Sequence, residues 1–220
     1  MKKIMFNEPY GLQQATFDGS KTMTRRVVPD VILNYVPIYQ QQYYEATLST
    51  ISVEDAIMNM VGPEKMFQRY VYQVGEIVAI AQRYEQISGD RPPVMLLGEL
   101  IDKEKGIYSV INSKETKGWS NKMFVKAEHM PHHIKIKSRR LEYLQSISDE
   151  DCLREGVRRE HWGGEDHYTV GDYLLWDRIM RQRGFSTPRK AFEVLIRNIS
   201  GDKAWYRNPL VFVYEYERID

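Results

Sequence analysis

The shortness of its strand signals constrains the fold of this chain most. Period-two or β-rich runs occur at residues 2–6, 76–82, 94–101, 107–111, 133–144, 172–176 and 210–217. Helix signals fall at about residues 8–18, 52–60, 148–156 and 187–199. The two kinds of signal do not alternate, so the βαβ units of a doubly wound parallel sheet fit poorly. A small, mostly antiparallel barrel with peripheral helices fits better, which is an α+β arrangement. At 220 residues the chain is long enough for one large domain, or for a barrel core with insertions.

The helices are marked by their ends. Pro9 suits the first turn of a helix running from Asn7 or Glu8 to Asp18, and Gly19 stops it. Ser52 is placed to cap the second, with Asp55 three residues on. Ser148 and Asp151 repeat that pattern, Ile147 and Cys152 sit where a hydrophobic staple packs, and Gly156 ends the helix. Thr187 and Pro188 open the last helix, and Gly201 closes it. Between these lie a polar loop at 19–26, a tyrosine-rich insertion within 27–70, and a second insertion at 158–186 whose first residues, 158–169, read as loop. In the 133–144 strand, Ile134 and Ile136 face one way, and Lys135, Lys137 and Arg139 the other. In the last strand Phe212, Tyr214 and Tyr216 share one face, and Val211, Val213 and Glu215 the other.

Composition narrows the setting. Cys152 is the sole cysteine, so an intrachain disulfide is excluded and a reducing, cytoplasmic compartment is expected. No apolar run approaches the length of a membrane span, and the N-terminal residues lack the apolar region of a signal peptide. The formal charge is only +1, but it is unevenly spread. Residues 27–64 carry acids and no lysine or arginine, whereas residues 114–140 carry eight basic side chains against two acidic ones. Such a stripe suits phosphates. The loop GSKTMTRR at 19–26 packs Lys21, Arg25 and Arg26 among turn residues and hydroxyls, as a ligand loop would.

Three blocks together resemble the ASCH family, specifically its longer phage and prophage members. GSKTMTRR is similar to the family's Gly-x-Lys-Thr-x-Thr-x-Arg. RRLEYLQSISDEDCLREGV at 139–157 is similar to its strand followed by a short helix ending in Glu-Gly. The tail TPRKAFEVLIRNISGDKAWYRNPLVFVYEYE at 187–217 is similar to its final helix, aromatic segment and last strand, with Asn208-Pro209-Leu210 where Asn-Pro-Trp is usual. The resemblance implies one PUA-like domain over residues 1–220, a small barrel that contacts RNA. A small bacterial branch hydrolyses the acetyl amide of N4-acetylcytidine. Its lysine, threonine and glutamate correspond to Lys21, Thr24 and Glu155.

The residues themselves permit that chemistry. Amide hydrolysis without a metal needs an activated nucleophile, a stabilised oxyanion and a proton for the leaving nitrogen. A lysine amine of lowered pKa, depressed further by Arg25, can activate a threonine hydroxyl or a water. Glu155 lies three residues after Cys152, so it leans toward the packed side of its helix, and the resemblance implies that it is the partner of Lys21. For binding, Thr22, Arg25, Arg26, Lys135, Lys137 and Arg139 are the expected contacts, with Trp119 as a stacking platform after Gly118. Five histidines occur without an HExxH motif or a cysteine ligand, and no glycine-rich phosphate loop is present, so neither a metal nor a cofactor is expected. Three functions follow as expectations. The first is binding of RNA or a nucleotide-like ligand around Lys21. The second is metal-independent hydrolysis of an N-acylated nucleoside. The third is a structural or interaction role in which the tyrosines at 35–44 form a contact surface.

Overall fold

The computed structural model describes residues 1–62, 65–88, 117–171 and 184–220. The expected strands at 94–101, 107–111 and 172–176 lie outside them. Seven strands are described: β1 (Lys2–Ile4), β2 (Met23–Val27), β3 (Ile77–Ile80), β4 (His133–Tyr143), β5 (Val157–Trp162), β6 (Glu165–Val170) and β7 (Leu210–Arg218). The helices are α1 (Leu12–Phe17), α2 (Asp30–Leu33), α3 (Val36–Thr47), α4 (Val53–Met60), α5 (Tyr84–Ser88), α6 (Lys117–Ser120), α7 (Asp149–Arg154), α8 (Pro188–Ser200) and α9 (Asp202–Tyr206). This is a mixed α+β protein. No helix among the described residues is long and apolar enough to cross a membrane.

Five strands form one sheet in the order β1-β3-β4-β7-β2, and β5 and β6 form a separate hairpin. The β1–β3 pair is parallel and β2–β7 is antiparallel. Opposed hydrogen bonds (Ile80 N–H to His132 O, Ile136 N–H to Glu76 O) run β3 antiparallel to β4. The bonds from Ile219 N–H to His133 O and from Leu144 N–H to Pro209 O do the same for β4 and β7. The order is open, with β1 and β2 at its two ends, so the described strands do not close into a barrel.

By compactness the chain divides into two units, each drawn from separate stretches of sequence. The first comprises Met1–Phe6, Ile77–Ile134 and Arg218–Asp220. Its core gathers Ala79, Ala81, Tyr84, Val125, Ala127 and Met130. The Lys3 ammonium donates to three carbonyls of residues 122–125, which fixes that turn. The second comprises Asn7–Glu76 and Lys135–Glu217. Its largest buried side chains include Phe192, Leu195, Phe212 and Tyr214, each removing a sizeable apolar surface from water.

Local signals explain most elements. The Ser52, Ser148 and Thr187 hydroxyls accept the N–H groups of Asp55, Asp151 and Lys190, satisfying donors that a helix start leaves open. Ile147 and Cys152 are both buried beside the start of α7, as a staple requires. Burial also pushes the Cys152 thiol up to about 12, so it stays a neutral packing group.

Four expectations need correction. Pro9 stands in a turn and α1 begins only at Leu12, because Gly11 before it is left-handed (φ 66). The 19–26 segment is half strand: Met23–Val27 pairs with Val211–Glu215. Residues 158–169 form the β5–β6 hairpin, turned at Gly163 and Gly164, both at positive φ. Arg139 does not share a face with Lys135 and Lys137. Between its end pairings β4 is one residue longer than β7, a bulge that reverses the alternation. Lys137 thus meets Glu217, while Arg139 lies over the Phe212 ring.

Candidate functional site

The site lies wholly within the second unit and is built where two distant stretches close on each other. Gly19 ends the turn after α1, and Lys21 N–H bonds back to Ala15 O. Thr22 N–H then donates to Arg154 O at the end of α7, while Thr22 O accepts from Tyr216 N–H on β7. The entrance to β2 is therefore clamped on both sides before the strand begins.

Lys21 is 2% exposed and Glu155 4%. The Lys21 ammonium donates to Glu155 Oε2 at 2.6 Å, to Glu155 O at 2.7 Å and to Met23 O at 2.6 Å, which uses its three protons. Burial lowers the Lys21 pKa below its ordinary value, and Glu155 works against that shift. The φ of Gly156 is +103°, and a Cβ there would meet Leu12 Cδ2 at 3.1 Å and Lys21 Cδ at 3.5 Å. The glycine after Glu155 is thus explained by its backbone conformation and by Leu12.

Arg25 completes the neutralisation. Its guanidinium reaches Glu155 Oε1 at 3.1 Å, Glu142 Oε1 at 2.5 Å and Asp151 Oδ2 at 2.8 Å. Arg140 bridges Asp151, Glu142 and Glu215, and Arg154 pairs with Glu215. Four cations thus meet four carboxylates between α7 and the Val213/Glu215 face of the sheet. A desolvated charge survives only with such partners. Carboxylates and a bulged strand were invisible as a cluster in the sequence. Only the spacing Arg140-x-Glu142 on a strand hinted that two charges share a face.

The opposite face is different. Register pairs Thr24 with Tyr214 and Arg26 with Phe212, so Thr24 and Arg26 stand on the side of Phe212, Tyr214 and Tyr216. Arg25 and Arg26 therefore point apart, as consecutive residues on a strand must. Thr24 is 5% exposed. Tyr72 stacks edge-on to Tyr214 at 5.2 Å, and its N–H donates to the Tyr214 hydroxyl. Arg139 donates to the Val61 and Tyr72 carbonyls. On the same side α1 brings Thr16 against Tyr216, hydroxyl to hydroxyl at 3.1 Å.

The sequence-expected residues thus separate into groups. Lys21 and Glu155 meet. Thr24 and Arg26 lie on the aromatic face, and Arg139 joins them. Thr22 acts through its backbone, and Arg25 is held by carboxylates. Lys135 and Lys137 are exposed on β4. Trp119 belongs to the first unit, where it packs half-buried against the Tyr84–Val125 cluster. His133 pairs with Asp220, His129 with Tyr84 and His161 with Asp166. Among the described residues no three His, Cys, Asp or Glu side chains are grouped as metal ligands. No protein-family model, curated protein or solved structure matches the chain.

Proposed function

We propose that the chain binds RNA or a modified nucleotide or nucleoside on the β2–β7 face that carries Thr24 and Arg26, within an ASCH-type, PUA-like domain. The observation that carries this reading is the buried Lys21–Glu155 pair at 2.6 Å, where the chain enters β2. Burying a lysine and a carboxylate is costly, and a buried lysine whose pKa burial lowers is a mark of a functional site. The aromatic rings and the two arginines beside it, Arg26 and Arg139, suit a base and a phosphate. Lys21 and Arg25 serve as buried supports in this reading, and Arg26 is the expected phosphate contact. Fluorescence binding to short RNAs and to a nucleoside panel tests it. Affinity that falls with added salt for RNA, and falls again in Arg26→Ala, is expected. No binding to any member at low salt would reject it.

A second reading is hydrolysis of an N-acylated nucleoside such as N4-acetylcytidine. Its support is the lowered Lys21 pKa within hydrogen-bond reach of Glu155. A neutral Lys21 amine accepts the proton of a water or of the Thr24 hydroxyl, whose oxygen attacks the acyl carbon. The C–N bond then breaks, Lys21 and Glu155 return the proton to the leaving nitrogen, and where Thr24 was the nucleophile a water then hydrolyses the acyl-Thr24 ester to the free acid. Chromatography of N4-acetylcytidine after incubation decides it. Release of cytidine by the protein and not by Lys21→Ala is expected, and unchanged substrate would reject it.

A further inference from the structure

The side chain least explained by the fold is Gln13. It lies in the first turn of α1 and is 3% exposed. Neither its amide oxygen nor its amide nitrogen has a hydrogen-bond partner among the described residues. A buried primary amide with three or four bonding positions unused is expensive, because it gave up its water for nothing. In the same helix Gln14, one residue on, is exposed and pays no such cost.

The helix geometry says where Gln13 lies. Residues three and four apart share a helix face, so Gln13 is one turn from Thr16 on the buried side. Thr16 holds the Tyr216 hydroxyl, and Tyr216 shares its sheet face with Tyr214 and hence with Thr24. Leu12, its neighbour, packs beside Gly156 and so beside the Lys21–Glu155 pair. Gln13 and Thr24 are thus two buried hydrogen-bonding side chains on one side of the β2–β7 sheet, and the Gln13 amide is used by none of the described residues.

We propose that Gln13 is a specificity-determining residue of this site, reading a neutral edge that presents a hydrogen-bond donor beside an acceptor. The Watson–Crick edge of a pyrimidine and an exocyclic acylamide both have that form. An amide offers an acceptor and two donors but no charge, so it matches such an edge and does not neutralise a phosphate. Arg26 is the residue for the phosphate. This inference rests on the nucleotide-binding reading above and deepens it, by assigning base recognition to a residue outside the GSKTMTRR loop.

Calorimetry and thermal melting of the full chain test it, with cytidine, N4-acetylcytidine and uridine as probes and ribose 5-phosphate as the base-free control. Gln13→Met keeps the volume and removes both bonding atoms. Gln13→Glu keeps the shape and an acceptor but loses the donors, and it guards against a methionine variant that fails to fold. The expected result is nucleoside binding weakened about tenfold or more in both variants, with ribose 5-phosphate affinity unchanged. The melting temperature of unliganded Gln13→Met is expected to be equal or higher, since a partnerless amide has been removed. A Gln13→Met protein that melts earlier and binds the nucleosides as the parent does would overturn the inference and make Gln13 structural. A parent chain that binds no probe fails at the nucleotide-binding reading itself, and the inference falls with it. Binding by the parent with equal binding by both variants overturns the inference alone.

Discussion

Lys21 shows how far one residue can be committed by its surroundings. Its ammonium is saturated by one carboxylate oxygen and two carbonyls, in a position where water cannot help. Removing it leaves Glu155 to Arg25 alone. Lys21→Met is therefore expected to lose about 3 kcal/mol in urea unfolding, at the lower end of what a broken buried pair costs. A loss below about 1 kcal/mol would mean that the pair is dispensable to the fold. Glu215 makes a separate prediction. A hydrogen bond from Arg154 comes first in holding its carboxyl below the ordinary value of 4.5. A depressed folded-state value adds stability above the unfolded pKa, and that stability is lost as pH falls through the folded one. Melting between about pH 3 and 7 should therefore show a gap between the parent and Glu215→Gln that closes on acidification. A gap independent of pH would contradict this. The meeting of Lys21 with Glu155 was legible in the sequence, through helix periodicity and a family resemblance. The fate of Arg25 was not, because nothing marks Glu142, or Asp151 beyond its capping role, as a partner, and both reach it only once β4 and α7 are folded together.

At the scale of elements, α7 and the glycine after it do the positioning. The helix is six residues long, too short to stand on propensity, and depends on its Ser148 cap and on packing. Ser148→Ala is expected to cost about 1 kcal/mol by chemical denaturation. Gly156→Ala acts more directly on the site. Its positive φ strains any L side chain and a methyl there would crowd Leu12 Cδ2 at 3.1 Å, so about 1–3 kcal/mol of strain is expected. The same change should shift the Leu12 side chain, which packs against the turn that follows Glu155. An alanine variant with parental stability would refute the steric account. Cap residues announced α4, α7 and α8 in advance, since a cap is a local signal. The β5–β6 hairpin was missed because its strands alternate polar and charged side chains, so no apolar period marks them. The turn of Arg139 toward Phe212 was missed for another reason: a bulge is set by pairing with β7, which a single strand's sequence does not record.

For the whole molecule, charge is the property on which sequence and structure differ most. The basic runs suggest a phosphate-binding surface, yet the best-placed cations of the second unit, Lys21, Arg25, Arg140 and Arg154, are matched to Glu155, Glu142, Asp151 and Glu215. Salt should therefore act on few contacts, and the salt dependence of RNA binding should be shallow, about one or two phosphates rather than the full basic run. The central claim is that ligand meets the Thr24 face and leaves the exposed stripe untouched. The most direct measurement is an NMR titration with cytidine and N4-acetylcytidine that follows the Gln13 side-chain amide, the Thr16 and Thr24 methyls, and the Lys135 and Lys137 amides. Saturable shifts at Gln13, Thr16 and Thr24 with still signals at Lys135 and Lys137 are the predicted result. Shifts confined to Lys135 and Lys137, or none at all, would contradict it.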